Sequence, residues 1–291
     1  MERLLSTGNI SYRSGVVVID EQPEETDTIM QRYFKLAKRA NSLLTAWLVV
    51  ILLALVCAPG RAQTRKDIFQ PGEQLVYTVK YGFITLGTVV IQTGSVSPAG
   101  IVKAHMEFWT ANIPFLNNRT NVTDQFATND ITIRTFEQHS QSGNNKSNKY
   151  ASYDPAAKTL TYSDDSVTND ISHNIEPYDD ALGILFNMRA WSGAVGHKYI
   201  FHVRDRAGAR PVTLTFTNQL SDQSVPALGD KTISTRVVNG MMDLGNSAPL
   251  GADGAITAYI SNDEAAVPVR IDMSIAVGSI SLVLDKIKRA D

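Results

Sequence analysis

The sequence predicts a mainly β protein: an antiparallel barrel or strongly curved sheet, lipocalin-like or half-barrel, with one central helix and an N-terminal apolar signal helix. Three observations predict it. Short runs with a two-residue apolar period recur from Leu75 to Leu284, turn-forming clusters separate them, and only Asp179 to Trp191 keeps a helical period within that span.

The first element is the apolar run Leu43 to Ala58, LLTAWLVVILLALVCA, which carries no charge. Arg32, Lys35, Lys38 and Arg39 precede it, and Pro59-Gly60-Arg61-Ala62-Gln63 follows. A basic region, an apolar region and a small-residue exit are the parts of a secretory signal, with Gly60 and Ala62 spaced for cleavage after Ala62. The leader before the apolar run is long, and a start at Met30 restores ordinary signal proportions. Residues 1–29 are therefore a leader or an over-extended start, residues 30–62 the signal peptide, and residues 63–291 a single β-rich domain. An uncleaved anchor through residues 43–58 is the alternative, because 16 apolar residues fall just short of the roughly 20 that span a bilayer. Lipidation at Cys57 is disfavoured by bulky Val56. The expected location is periplasmic or cell-envelope, or the inner membrane if the anchor is kept, with membrane contact only through this segment.

The strands come next. Leu75, Tyr77, Val79 and Tyr81 alternate with Val76, Thr78 and Lys80, so one face is apolar and the other wetter. Similar runs follow at 88–93, 102–109, 131–138, 149–153, 159–162, 198–204, 212–217, 232–238, 256–260, 269–275 and 279–284. Turns are read at Ser97-Pro98-Ala99-Gly100, Asp154-Pro155-Ala156-Ala157, Asp205-Arg206-Ala207-Gly208 and Val277-Gly278, which makes sequential antiparallel pairing the expectation. The polar segments 117–129 and 141–148 read as loops. Pro268 suits the first residue of an edge strand.

The helix is read at 179–191, where Leu182, Leu185, Phe186 and Arg189 share a stripe, and the Leu182, Leu185 and Phe186 side should cover the open mouth or concave face of the sheet. Asp179 or Asp180 caps its start and Gly193 ends it.

Composition narrows the function. Lys plus Arg number 27 against 29 Asp plus Glu, a net charge of −2, which lacks the basic excess of a nucleic-acid binder. One cysteine excludes an intrachain disulfide and multi-thiolate zinc sites. The five histidines have no metal-site spacing, and no HExxH, GxSxG, P-loop or GxGxxG occurs. No catalytic residue, metal or cofactor is therefore expected. The acidic pairs Asp164-Asp165, Asp179-Asp180 and Asp263-Glu264 read as turn and cap residues. Arg189 falls on the apolar stripe and needs either a carboxylate clamp or an anionic ligand. With Tyr77, Tyr81, Phe108 and Phe186 it forms the candidate ligand-binding set, although these aromatic side chains can fill an interior as readily as line one.

Phe69-Gln70-Pro71-Gly72-Glu73-Gln74-Leu75-Val76-Tyr77, followed by Tyr81-Gly82 and Gly87, resembles the opening of the bacterial "domain of unknown function 3108" family. The run Tyr178 to Leu182 through Met188-Arg189 is similar to its central helix, and Ser261 to Ile271 with Gly278-Ser279-Ile280 to its closing hairpin. The resemblance implies an exported or envelope β-rich protein without an established reaction. The leading expectation is non-enzymatic binding of an apolar or lipid-like ligand. The alternatives are a structural or interaction module that docks an envelope protein and, less favoured, an envelope or polysaccharide hydrolase.

Overall fold

The computed structural model describes residues 11–13, 16–18, 68–111, 117–191, 195–205, 208–242, 252–275 and 278–289. The chain divides into two compact units, Met1–Ala62 and Gln63–Asp291. In the first, β1 (Ser11–Arg13) pairs antiparallel with β2 (Val16–Val18). The expected signal helix at 43–58 lies outside the described residues.

The second unit carries β3 (Gln74–Tyr81), β4 (Ile84–Val96), β5 (Ile101–Thr110), β6 (Asn118–Ala127), β7 (Thr132–Ser142), β8 (Asn145–Asp154), β9 (Thr159–Asp164) and β10 (Asp170–Ser172). Helix α1 (Ala181–Trp191) follows, and then β11 (Lys198–Asp205), β12 (Gly208–Val225), β13 (Lys231–Met242), β14 (Ala252–Ser261), β15 (Pro268–Ile275) and β16 (Gly278–Lys288). All 14 strands form one sheet in the order β10-β9-β8-β7-β6-β5-β4-β3-β16-β15-β14-β13-β12-β11. Every pairing is antiparallel, and all but one join neighbours in sequence. The exception is β16 against β3, which brings the last strand back to the first.

This order leaves β10 and β11 as the two edges, so the sheet curves but does not close on itself. The connector between β10 and α1 occupies the seam. Its Ile175 amide donates to the Lys158 carbonyl at 2.9 Å, beside the β8–β9 turn, and its Asp179 amide donates to the His202 carbonyl of β11 at 2.9 Å. Asp179 also forms an isolated parallel bridge with Val203. The expectation of a barrel or curved sheet thus resolves to the curved sheet, its opening crossed by irregular chain.

Alternation places Leu75, Tyr77 and Val79 inside on β3 as expected. Residues 117–129 and 141–148, expected as loops, are mostly strand: β6 runs through the first, and β7 and β8 meet at a tight turn within the second. Their polar outward side chains mask an inward series, Val122, Asp124 and Phe126, that is fully or nearly fully buried. Pro268 does open a strand, but β15 lies inside the sheet between β14 and β16, not at an edge. As the first residue it avoids a missing ladder donor mid-strand.

Helix α1 begins two residues later than expected because Asp180 is the capping residue, its Oδ1 accepting from the Gly183 amide at 2.8 Å. The helix is not amphipathic in use. Residues 182–189 are buried without interruption, the condition of a helix enclosed by its domain. Phe186 meets Phe69 and Phe126 with ring centroids 4.7 and 5.4 Å apart, and Gly183 lies against Ile133 of β7.

Candidate functional site

The expected ligand-binding residues share the interior face. Tyr77 and Phe186 are fully buried, Phe108 is partly buried against the core, and Tyr81 is half-buried at the end of β3 with its ring against Gly278. Arg189 has no exposed side-chain surface. Its Nη1 and Nη2 donate to Glu73 Oε2 and Oε1 at 2.6 and 3.3 Å, and its Nε donates to the Ala265 carbonyl at 3.2 Å. Arg289 approaches the same carboxylate from outside at 3.7 Å. A forked, charge-assisted pair of this kind satisfies both buried ions. The Tyr77 hydroxyl donates to the Pro268 carbonyl at 2.9 Å, and burial raises its phenol above the usual range. The last turn of α1, the start of β3 and the β14–β15 turn are therefore bolted together by side chains whose polar atoms are already engaged.

At the other end of α1 stands a second polar group, which alternation concealed. Asp124 projects inward from β6 with no exposed surface, beside Asp180, Asp179 and Tyr178 of the connector. Asp179 accepts from Asn187 Nδ2 at 3.1 Å. The sequence reading of Asp179 and Asp180 as cap residues holds for Asp180. Asp124 was legible only as the polar member of the buried i, i+2 series on β6.

A groove of about 310 Å³ opens on the outward face of β5–β9, opposite the core. Two cross-strand rows line it. One runs Lys103, Gln125, Thr135, Ser152 and Thr161, and the other Thr123, Glu137, Tyr150 and Ser163, each residue paired in register with the next. Asn169 completes the rim, its amide donating to Ser163 Oγ at 3.0 Å. Tyr150 is 44% exposed, and His139 meets its ring edge-on at 5.7 Å. His139 is held in turn between Asn148 Oδ1 at 2.8 Å and Glu137 Oε1 at 2.6 Å. These two contacts, the Asn148 bond first, raise its pKa above the ordinary imidazole value. Asn148 is fixed by Asp165, which accepts from its backbone and side-chain nitrogens at 2.9 Å each. The result is a shelf of hydroxyl, amide and charged groups around the Tyr150 ring, whose orientation is already set, with Phe136 and Ala151 also in the lining. Sequence reasoning missed it; the available signal was polar residues two apart on four consecutive strands.

Among the described residues no group of three or more His, Cys, Asp or Glu is placed to hold a metal, and no helix is long and apolar enough to cross a membrane.

Fold and site together define a class: a single open antiparallel sheet curled around one helix, with a packed interior node and a polar outer groove. The chain belongs to the DUF3108 family, described as "Protein of unknown function (DUF3108)", whose family model matches residues 76–285. Among solved structures, the β-barrel-like protein of the domain of unknown function DUF1849 from Brucella abortus is similar in fold. Its TM-score is 0.51 at 11% identity, over 77% of this chain and 99% of that one. The hypothetical protein CT021 from Chlamydia trachomatis aligns with a TM-score of 0.34 at 9% identity, over 78% of this chain and 92% of that one. No curated protein matches the chain.

Proposed function

We propose that the protein is a non-enzymatic binding module of the cell envelope that takes a hydroxyl-rich chain, a glycan segment, in the groove over β5–β9. The groove is the observation that carries this reading. Its volume lies at the lower end of ordinary ligand sites, enough for one or two sugar rings. Its rows of Thr, Ser and Gln side chains, with Asn169 at the rim, offer both donors and acceptors to sugar hydroxyls, and the exposed face of Tyr150 offers an apolar platform to a pyranose ring. The basic, apolar and small-residue series before Gln63 supports export.

An apolar ligand in the interior, the first expectation from the sequence, would have to displace Phe69, Phe126 and Phe186 from mutual contact and leave the Glu73–Arg189 pair beside hydrocarbon. That arrangement favours the outer face as the binding surface.

The test is equilibrium binding of soluble oligosaccharides from envelope polymers. Replacing Tyr150 by Ala should weaken binding about tenfold, the size expected for loss of one aromatic platform, while Phe108→Leu should leave it unchanged. Equal affinity of the Tyr150→Ala variant and the unaltered protein would contradict the proposal.

A second reading, docking of an envelope protein, is favoured by β11. This edge strand exposes more than half of Ile200 and, among the described residues, is bridged on its outer side at Asp179. An extended segment of a partner can add to such an edge.

A further inference from the structure

Asp124 is buried completely, and neither of its carboxyl oxygens receives a hydrogen bond. A carboxylate in that condition is among the most costly groups a protein interior can hold. Its polar neighbour across the interior is a second carboxyl, the half-buried Asp180, which caps α1 and already accepts from the Gly183 amide. The Tyr178 hydroxyl is also buried beside them and has no partner of its own.

We propose that Asp124 and Asp180 share one bound proton, and that this proton clasps the connector between β10 and α1, and with it the seam of the sheet, onto β6. With the proton on Asp124, its hydroxyl donates to the Asp180 carboxylate, whose remaining lone pairs serve the first amides of the helix. The orphaned carboxyl gains a partner and the repulsion of two neighbouring anions disappears. The clasp reaches the seam through the next residue, because Asp179 carries the bridge to Val203 and the bond to the His202 carbonyl.

Among the described residues, the groups set around the pair are polar or acidic. The connector contributes Tyr178 and Asp179, α1 contributes Asn187, and β8 contributes Tyr153, whose ring meets that of Tyr178 at 6.4 Å. The ion pairs Lys158–Glu176 and Arg134–Asp130 act on Tyr153. Burial, followed by the charge of Asp180, raises Asp124 well above the ordinary carboxyl range. Asp180 is raised by burial and held back by helix amides. Asp179 is pushed up to about 7, again by burial first and Asp180 second.

Because these folded-state values lie above the unfolded ones, the folded chain binds more protons. The clasp contributes fully below the unfolded carboxyl pKa and is lost as pH rises through the folded values. Each unit of separation makes opening of the seam about tenfold more favourable once that range is passed.

The deciding experiment is a carboxyl carbon-13 NMR titration of the whole protein. The Asp124–Asp180 pair should release its two protons in separate steps, the second well above the ordinary carboxyl range. Release of both protons within the ordinary carboxyl range would overturn the proposal, and this reading needs no variant. The second arm is D124N, whose carboxamide supplies the donor without a proton. Its fall in unfolding midpoint between pH 5 and pH 8 should be smaller than that of the unaltered protein, the remainder coming from Asp179. An equal fall in both would count against the clasp.

Discussion

Arg189 and Glu73 are separated by 116 positions and meet in the interior with at most 1% of either side chain exposed. Removing one partner strands the other. Glu73→Ala should destabilise the protein by about 3–5 kcal/mol, because an uncompensated guanidinium stays buried, whereas the double variant Glu73→Leu with Arg189→Met should recover most of that loss. Urea unfolding of the three proteins checks it, and additive losses in the double variant would contradict it. Half of this pair was legible: Arg189 falls on the apolar stripe of a helix, which demands a partner. Glu73 was hidden, because nothing local to Phe69-Gln70-Pro71-Gly72-Glu73 says that its side chain turns inward. Asp124 was hidden for the same reason, as an acidic residue among polar neighbours on β6. A residue's polarity reports its usual place, and these three are the exceptions that the fold makes room for.

At the level of elements, alternation succeeded where the inward series is apolar, as in β3 with Leu75, Tyr77 and Val79. It failed where both faces are polar. β6 reads Asn-Arg-Thr-Asn-Val-Thr-Asp-Gln-Phe-Ala, and only Val122 and Phe126 break its polarity before the final Ala. The facing ends of β7 and β8, Gln138 to Ser142 and Asn145 to Lys149, carry no large apolar residue, so their pairing shows only in the ladder itself. Helix α1 was found, but its environment was misjudged, since the stripe at Leu182, Leu185 and Phe186 predicted one covered side while Ile184 and Met188 are buried as well. Within the sheet, Gly240 of β13 is a close approach: a Cβ there would collide with the Thr213 carbonyl oxygen of β12 and stand 2.6 Å from Leu214 Cδ2 and 2.7 Å from Ile256 Cγ2. Gly240→Ala should therefore cost about 1–3 kcal/mol through overpacking, read as a lowered thermal midpoint. An unchanged midpoint would show that β12 and β14 yield without strain.

The whole molecule depends on pairings that no local pattern encodes. Sequential hairpins predict two meanders, one on either side of α1, but not that β16 returns to β3. That single contact makes one 14-stranded sheet, sets β10 and β11 as its edges, and gives the connector a seam to cross. The outer groove is likewise a property of the assembled sheet, because its two rows draw one residue from each of several strands in register. For the exported form the expected N-terminus is Gln63, and sequencing the mature protein checks it; a chain that still carries residues 43–58 would favour the anchored alternative.

The proposed function requires that the interior be occupied by its own side chains and that ligand be met on the outward face of β5–β9. Chemical-shift mapping during addition of envelope oligosaccharides to isotope-labelled protein tests it most directly. Perturbations should concentrate at Thr135, Tyr150, Ser152 and Thr161, with Phe126 and Phe186 unmoved. Perturbations centred on Phe126, Phe186 and Tyr77 on addition of an acyl-chain ligand, with none in the groove on addition of a saccharide, would contradict it.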